Sequence, residues 1–282
     1  MDERIDFIGV LQRVYTTPLL AVVLFGALFI IVRGTKALRL SRGTALSALQ
    51  NLWLILFNAV IMAVYFGGIS TASNAVFETL GLPHINPDAW SALPTTLAFI
   101  IVLVLLDFNN YWSHRLLHTK LFWGLHALHH SDEHMTWTTS YRVHVLEFVQ
   151  MKIVYIVILG VFFLPPEIVA VAGAVRGWYS KFIHCQLGWG FGRFAKVLAS
   201  PNYHRWHHAD VPEAYGKNLC DMFPVWDVMF GTHYNPGHCD APTGVSDAPT
   251  DFLRGQAYPF VYALDAVKRR LPKKSASLAR NP

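Results

Sequence analysis

Histidines are concentrated in two parts of this 282-residue chain. The segment "HRLLHTKLFWGLHALHH" at 114–130 holds five of the fourteen histidines, and "HRWHH" at 204–208 holds three more. The spacing is helical, because residues three or four apart lie on one face of a helix. One HxxxH pair and two HxxHH sets result: His114 and His118; His126, His129 and His130; His204, His207 and His208.

Eight imidazoles at these spacings indicate metal binding. In a low-dielectric environment each ring must find hydrogen-bond partners or lose its charge, and a neutral ring that binds a metal meets both demands. Eight ligands exceed one four-coordinate zinc site and suit two metals. The protease motif HExxH is missing, because Arg115 follows His114. The carboxylate ligands of soluble di-iron bundles are missing too. We therefore predict a histidine-rich dimetal centre, with iron as the expected metal because imidazole suits iron and iron activates oxygen.

The composition is that of a membrane protein. Apolar residues make up 53% of the chain and charged residues only 15%, against about 25% in a typical soluble domain. Basic residues flank apolar segments, so we interpret them as signals of membrane topology. We therefore expect no nucleic-acid partner. Three cysteines without a CxxC spacing argue against disulfides and thiolate zinc. The acidic start "MDERIDF" does not resemble a cleavable signal peptide.

Five apolar segments predict an all-α, multi-pass transmembrane bundle. They are 18–32, 51–68, a third that begins at Thr95, 146–164 and 167–183. The last two flank Pro165 and Pro166, a helix-breaking pair that predicts a hairpin tip. Four crossings, or three plus a re-entrant hairpin, are both consistent with these lengths. We predict one domain over 1–282, with a core at about 95–235 and an interfacial tail at 240–282.

Charge asymmetry predicts the orientation. The loop 33–43 is basic, whereas 69–94 contains no lysine or arginine, so positive-inside places 33–43 in the cytoplasm. The third helix then runs inward. His114 follows Thr95 by about 28 Å of helix, so a cytosolic helical cap would hold the histidines at the cytoplasmic face.

Residues 100–235 resemble the fatty acid hydroxylase/sterol desaturase superfamily of membrane non-haem di-iron oxygenases. The resemblance is carried by "DFNNYWSHRLLH" (107–118), "HALHHSDEHMTWTTSYRVHVLE" (126–147), "SPNYHRWHH" (200–208) and "YGKNLCDMFPVWDVMFGT" (215–232). It implies two iron ions as cofactors, dioxygen as co-substrate and a membrane lipid as substrate. Zinc could replace iron on purification.

The resemblance also implies roles for single residues. The eight histidines above match the family's three histidine boxes, and His184 matches an additional histidine ligand. Some relatives have a second histidine four residues earlier, where this chain has Ser180. We therefore predict that His144 either replaces this ligand or hydrogen-bonds to one of the other ligands. Four residues are expected to accept the outer N–H of a ligand, or else to cap helices or form salt bridges: Asp107, Glu147, Asn218 and Asp227.

The implied activity is O2-dependent hydroxylation or desaturation of an unactivated C–H bond. The chain has no haem-attachment CxxCH, dinucleotide GxGxxG or iron–sulfur cysteine pattern. Electrons are therefore expected from an external carrier of ferredoxin or cytochrome b5 type and its reductase. A bacterial inner membrane, or the endoplasmic reticulum membrane of a eukaryote, is the expected location. A membrane metal transporter and a zinc metallohydrolase are the alternatives, and the lipid, the carbon attacked and the oligomeric state stay open.

Overall fold

A computed structural model describes residues 7–34, 41–66, 69–86, 88–246 and 248–270. These residues form helices and loops without a named β-strand, and their one isolated bridge pairs Ala209 with Thr243. The predicted all-α architecture is therefore confirmed for the part of the chain that is described.

The described α-helices are numbered in chain order. They are α1 (Phe7–Arg33), α2 (Arg42–Phe66), α3 (Ile69–Thr79), α4 (Asp88–Ser91), α5 (Thr95–Leu117), α6 (Trp123–His130), α7 (Val145–Phe162), α8 (Pro166–Ile183), α9 (Pro201–His207), α10 (Val225–Met229) and α11 (Phe252–Arg270). Short 3-10 turns lie at Trp137–Tyr141, Gly192–Lys196 and Pro212–Ala214.

Prolines mark the helix ends that the sequence predicts. The helix α5 begins directly after Pro94, and α8 has Pro166 in its first turn, where a missing N–H costs nothing. Phe163 ends α7 in the left-handed conformation with φ 47°. The helix α8 then begins after Pro165, so the predicted helix break is present, whereas the hairpin stays a prediction.

The helix α5 packs against both α7 and α8, and these three helices form the scaffold of the described part of the chain. Their shared core contains Val102 and Leu106 of α5, Leu159 of α7 and Ala172 of α8. The helix α3 packs on α7, and α6 contacts α5, α7 and α11. This arrangement fixes the ends of α5 and α8, from which the first and the additional histidines extend.

Two helices of the described part, α5 and α7, are long and apolar enough to cross a membrane, and Leu19–Val32 in α1 is a shorter apolar stretch. The segment predicted at 51–68 lies in α2 except for 67 and 68, which fall outside the described residues, as do most of the basic loop at 33–43 and the basic tail beyond 270. The number of crossings and the orientation therefore stay predictions.

Close packing of α3 on α7 depends on Gly160. A Cβ at this position would lie 2.2 Å from the ring of Phe77. We expect Gly160→Ala to lower the free energy of unfolding by about 1–3 kcal/mol, because overpacking forces the ring to move. The matched control is Gly173→Ala, where a Cβ would meet nothing within 4 Å. Thermal unfolding in detergent measures both, and equal midpoints would contradict the packing argument.

Candidate metal centre

Four chain segments bring nine of the ten predicted ligands together. The C-terminal end of α5, the helix α6, the residue that caps α8 and the helix α9 with its cap supply them. The rings form two groups that could each hold a metal ion, and within each group the ligand atoms lie within 4.8 Å of one another. The five-histidine group contains His114, His118, His126, His130 and His207. The four-histidine group contains His129, His184, His204 and His208.

The two groups are direct neighbours. The ring centroids of His130 and His208, one from each group, are 4.5 Å apart and stacked. Those of His126 and His129 are 5.0 Å apart. The geometry is therefore that of one paired centre, as the predicted dimetal site requires.

Hydrogen bonds to backbone carbonyls outside the two groups determine which ring nitrogen of a histidine carries no proton. The Nδ1 atom of His114 lies 2.8 Å from the carbonyl oxygen of Leu219, and that of His207 lies 2.7 Å from the carbonyl of Lys217. The Nδ1 atom of His184 lies 2.6 Å from the carbonyl of Ser180. Because a carbonyl only accepts, each Nδ1 must carry the proton, and each Nε2 is left with a lone pair.

These lone pairs face one another, which indicates a site for cations. His126 donates from Nδ1 to the Glu147 carboxylate at 2.9 Å, so its Nε2 is bare as well. The Nε2 atoms of His114 and His126 are only 3.0 Å apart. Two lone pairs at this distance repel unless a cation lies between them. The residues therefore fit metal ions.

Buried nitrogens without a partner indicate the same. The Nε2 atoms of His118 and His207 are buried and accept no hydrogen bond from any described residue. Buried polar atoms without partners are rare in folded proteins and call for an unseen ligand. Both atoms belong to the five-histidine group, where a metal ion would satisfy them.

Burial keeps the ligands neutral. Desolvation lowers the pKa of His184 from 6.5 to about 4. It also lowers the pKa of His130 and His208 well below 6.5, with further lowering from the neighbouring imidazoles. Neutral imidazole is the form that binds a metal, so the site is prepared for metals at neutral pH.

Of the four predicted supporting residues, Glu147 is the one whose side chain bonds to the ring of a histidine in either group. Asp107 accepts hydrogen bonds from the backbone N–H groups of Met222 and Phe223, both at 3.1 Å. Asp227 accepts from the N–H groups of Leu219 and Cys220 at 2.8 and 2.9 Å. These two carboxylates therefore hold the backbone behind the ligands and not the ligands themselves.

The backbone segment that these two carboxylates hold, residues 217–223, forms hydrogen bonds with the histidines. Asn218 adopts the left-handed conformation with φ 55°, and its amide side chain bonds to the backbone of Tyr203 and Tyr234. On either side of it, the carbonyls of Lys217 and Leu219 accept from His207 and His114. Sequence reasoning missed these carbonyls because a backbone acceptor has no residue-type signature. The nearest signal in the sequence is Asn218 itself, because asparagine is one of the few residues that readily adopt the left-handed conformation.

His144 lies outside both groups. It caps the N-terminus of α7, where its Nδ1 accepts from the N–H of Leu146 at 3.1 Å. Its Nε2 lies 3.2 Å from the carbonyl of Gln256. Both ring nitrogens are engaged by backbone, so the structure does not bring this predicted ligand to the metal centre.

The groups border two cavities. One, of about 130 Å³, is lined by His114 and His126 of the first group and His129, His184 and His204 of the second, with aliphatic walls such as Leu117 and Met151. The other, of about 380 Å³, borders the five-histidine group with Trp123, Asp210 and Tyr215. The smaller cavity, which we call the shared cavity, is the one of these two that borders both groups.

Comparison with known proteins names the family. A family model described as fatty acid hydroxylase matches residues 99–232. Residues 99–232 belong to the fatty acid hydroxylase/sterol desaturase superfamily. The predicted family is thus confirmed. No solved structure gives a significant match.

Curated relatives in this superfamily carry the names of oxidoreductases. The chain is 32% identical to an alkylglycerol monooxygenase of Caenorhabditis elegans over 59% of this chain and 31% of that protein. It is 29% identical to the ornithine lipid hydroxylase OlsE of Rhizobium tropici, over 54% and 46%, and 26% identical to methylsterol monooxygenase 2-2 of Arabidopsis thaliana, over 57% and 61%. The match spans less than half the length of the first two relatives.

The carboxylate of Glu147 is expected to strengthen metal binding through His126. We expect Glu147→Gln to weaken metal retention about 10- to 100-fold, as loss of such outer partners usually does. Chelator competition followed by metal analysis measures this. Glu133→Gln is the matched control, because that side chain is exposed. Equal retention in the two variants would contradict the assigned role.

Stability of chelator-treated protein is expected to depend on pH. The pKa of His184 is about 4 when folded and 6.5 when unfolded, so between these values only the unfolded chain binds the proton. The stabilisation is therefore complete above the unfolded pKa and is lost as the pH falls toward the folded one. Unfolding midpoints across this window test it, and a flat profile would contradict the burial argument.

Proposed function

We propose that this protein is an O2-dependent oxygenase that hydroxylates an unactivated C–H bond of a membrane lipid. One observation carries the proposal: two neighbouring groups of neutral imidazoles open on one cavity with aliphatic walls. A pair of redox metals suits the two groups, and the apolar wall residues of the cavity suit a short hydrocarbon segment of a substrate. The names of the relatives, which are lipid hydroxylases and monooxygenases, support the same reaction class.

Iron is the metal proposed for both groups, with the five and the four histidines as ligands. Imidazole suits iron, and a set of nine histidines exceeds a single tetrahedral zinc site. When bound, the iron pair would supply the activation of O2 and the abstraction of hydrogen from carbon. The balanced reaction is R–H with O2, two electrons and two protons giving R–OH and water.

The chain's own residues hold and shield this chemistry. Glu147 and the carbonyls of Lys217, Leu219 and Ser180 keep the Nδ1 protons on the outer side of the rings. The Nε2 lone pairs therefore point inward before any ion binds. Aliphatic walls of the shared cavity would position a lipid chain and keep bulk water away from it.

An external one-electron protein carrier, of ferredoxin or cytochrome b5 type with its reductase, is the proposed source of electrons. The larger cavity supports an approach on the side of the five-histidine group. Trp123 lines that cavity, and its ring centroid lies 5.5 Å from that of His118 and 5.4 Å from that of His130.

The membrane arrangement is also a proposal. The helices α5 and α7 would cross the bilayer within one integral-membrane domain, with the metal centre at the cytoplasmic end of α5. The helix α11 would lie in the interface, as the predicted tail does. It packs on α6 through Gly255 and leaves Leu253, Phe260 and Leu264 59–77% exposed on its opposite side. Lys268 is exposed near its end, as is common in interfacial helices.

The two alternative functions are less consistent with the site. A transporter would place polar ligands along a path through the membrane, whereas here they gather in two touching groups at the end of α5. A zinc hydrolase needs one open tetrahedral site and a base such as the glutamate of HExxH. Arg115 occupies that glutamate's position.

Lipid analysis of cells with and without the gene tests the proposed function. We expect a lipid that gains the mass of one oxygen atom when the gene is present and O2 is supplied. Loss of two hydrogens instead would indicate desaturation. His129→Ala removes a ligand of the four-histidine group and should abolish the product. The matched control His144→Ala removes a buried histidine outside both groups, and the product should persist.

Metal analysis provides the second measurement. About two irons per chain are expected in the wild type and in His144→Ala, and fewer in His129→Ala. Zinc in place of iron with no O2-dependent turnover after iron reconstitution would contradict the proposal. An unchanged product in His129→Ala would show that the assigned site is wrong.

A further inference from the structure

The helix α6 supplies ligands to both groups, although it has only eight residues. His126 and His130 belong to the five-histidine group, and His129 belongs to the four-histidine group. A helix this short is not stable on its own, so contacts from other segments must fix its direction. A change in that direction would move ligands of both groups at once.

A buried arginine holds the C-terminal end of this helix. Arg142 is 2% exposed, and its Nε donates to the carbonyl of Leu128 at 3.1 Å. That carbonyl belongs to the peptide group that joins Leu128 to His129. A cation at this end also interacts favourably with the helix dipole. Arg142 therefore fixes the backbone from which the ring of His129 extends.

A carboxylate that follows α6 is the counterpart of this arginine. Asp132 lies two residues after His130 and is buried. Its oxygens accept from the hydroxyls of Ser47 and Thr139 at 2.6 and 2.7 Å. Because Ser47 belongs to α2, the carboxylate ties the end of α6 to a distant helix of the chain.

Asn51 of α2 joins the two charged groups. Its Oδ1 accepts from Nη1 of Arg142, and its Nδ2 donates to Oδ2 of Asp132, both at 3.1 Å. The amide is fully buried. It supplies the acceptor that a guanidinium needs and the donor that a carboxylate needs. Since a buried charge that loses a partner is strongly destabilising, removal of the amide would loosen both attachments of α6.

This link comes from outside the segment that the family model matches. The matched segment is 99–232, whereas Asn51 lies in α2. The carbonyl of Thr250, which accepts from Nη2 of Arg142 at 2.7 Å, also lies outside it. Flanking segments of the chain therefore hold a helix of the metal centre.

We propose that Asn51 is a positioning residue that acts through Arg142 and Asp132 and holds α6 in the orientation in which its histidines bind metal. The inference rests on the proposed function, because it takes both histidine groups as metal sites. It follows that α2 contributes to metal affinity without supplying a ligand.

Metal affinity tests the proposal. Asn51→Leu removes the amide but keeps a branched side chain, and we expect this variant to hold iron about tenfold more weakly in chelator competition, as after loss of other residues that orient ligands. The visible absorption of the cobalt(II)-loaded variant should also change, because it reports ligand geometry. Affinity and absorption equal to those of the wild type would overturn the proposal.

Asn58→Leu is the matched control. Asn58 lies about two turns further along α2, is buried, and donates to the carbonyl of Val143 at 2.7 Å. This variant also loses a buried hydrogen bond but keeps the link between Arg142 and Asp132, so its metal affinity should stay that of the wild type. Equal losses of affinity in both variants would indicate a general effect of lower stability and overturn the proposal. If Asn51→Leu does not fold, judged by thermal unfolding, Asn51→Ala replaces it.

Exchange of the two side chains provides a second test. Asn51→Asp alone places a carboxylate opposite that of Asp132 and should weaken iron binding, because like charges repel. When Asp132→Asn is added, a carboxylate again faces an amide, and Arg142 again has its acceptor. We expect the double variant to regain most of the lost affinity, which would show direct coupling of the two positions. A double variant that binds iron no better than Asn51→Asp would overturn the proposal.

The proposed function and this inference fail in different ways. Iron-loaded wild type that oxidises no lipid would contradict the function, whereas the affinities would still decide the role of Asn51. If the wild type binds no metal, the function fails, and hydrogen exchange in chelator-treated protein decides whether Asn51 holds α6. The amides of α6 should then exchange faster in Asn51→Leu than in Asn58→Leu, and equal rates would overturn the inference.

Discussion

The structure depends on one electrostatic constraint, the burial of nine neutral imidazoles with their lone pairs directed at each other. The repulsion between such nitrogens, 3.0 Å apart in the pair of His114 and His126, must be overcome by the fold until a cation relieves it. Backbone carbonyls and Glu147 do this by anchoring the opposite side of four of the rings, those of His114, His126, His184 and His207. The anchoring bonds make the site specific for cations, because they fix the tautomer that exposes Nε2.

A second layer of polar residues holds the anchors. The carboxylate of Asp227 accepts hydrogen bonds from the backbone N–H groups of Leu219 and Cys220 and from the hydroxyls of Tyr203 and Thr232. These bonds tie the segment 217–223 to α9 and α10, so that a carboxylate with no contact to any ligand still determines where His114 and His207 point. Rigidity of the centre therefore comes from a loop and not from the helices alone.

Much of this centre could be predicted from residue spacing. Pairs four apart, such as His114 and His118, share a group, as do His126 with His130 and His204 with His208. The remaining member of each HxxHH set, His129 or His207, joins the other group. This exchange depends on how α6 and α9 pack, which periodicity alone does not specify. The same limit explains His144, whose type and position fit a ligand but whose ring caps α7 instead.

The exchange of histidines between groups has a consequence for biosynthesis. The five-histidine group combines His114 with His207, and the four-histidine group combines His129 with His208. Neither set of ligands is complete until the ribosome has passed the last of these codons. The full coordination of either group therefore depends on α9, which is made long after the first helices of the chain.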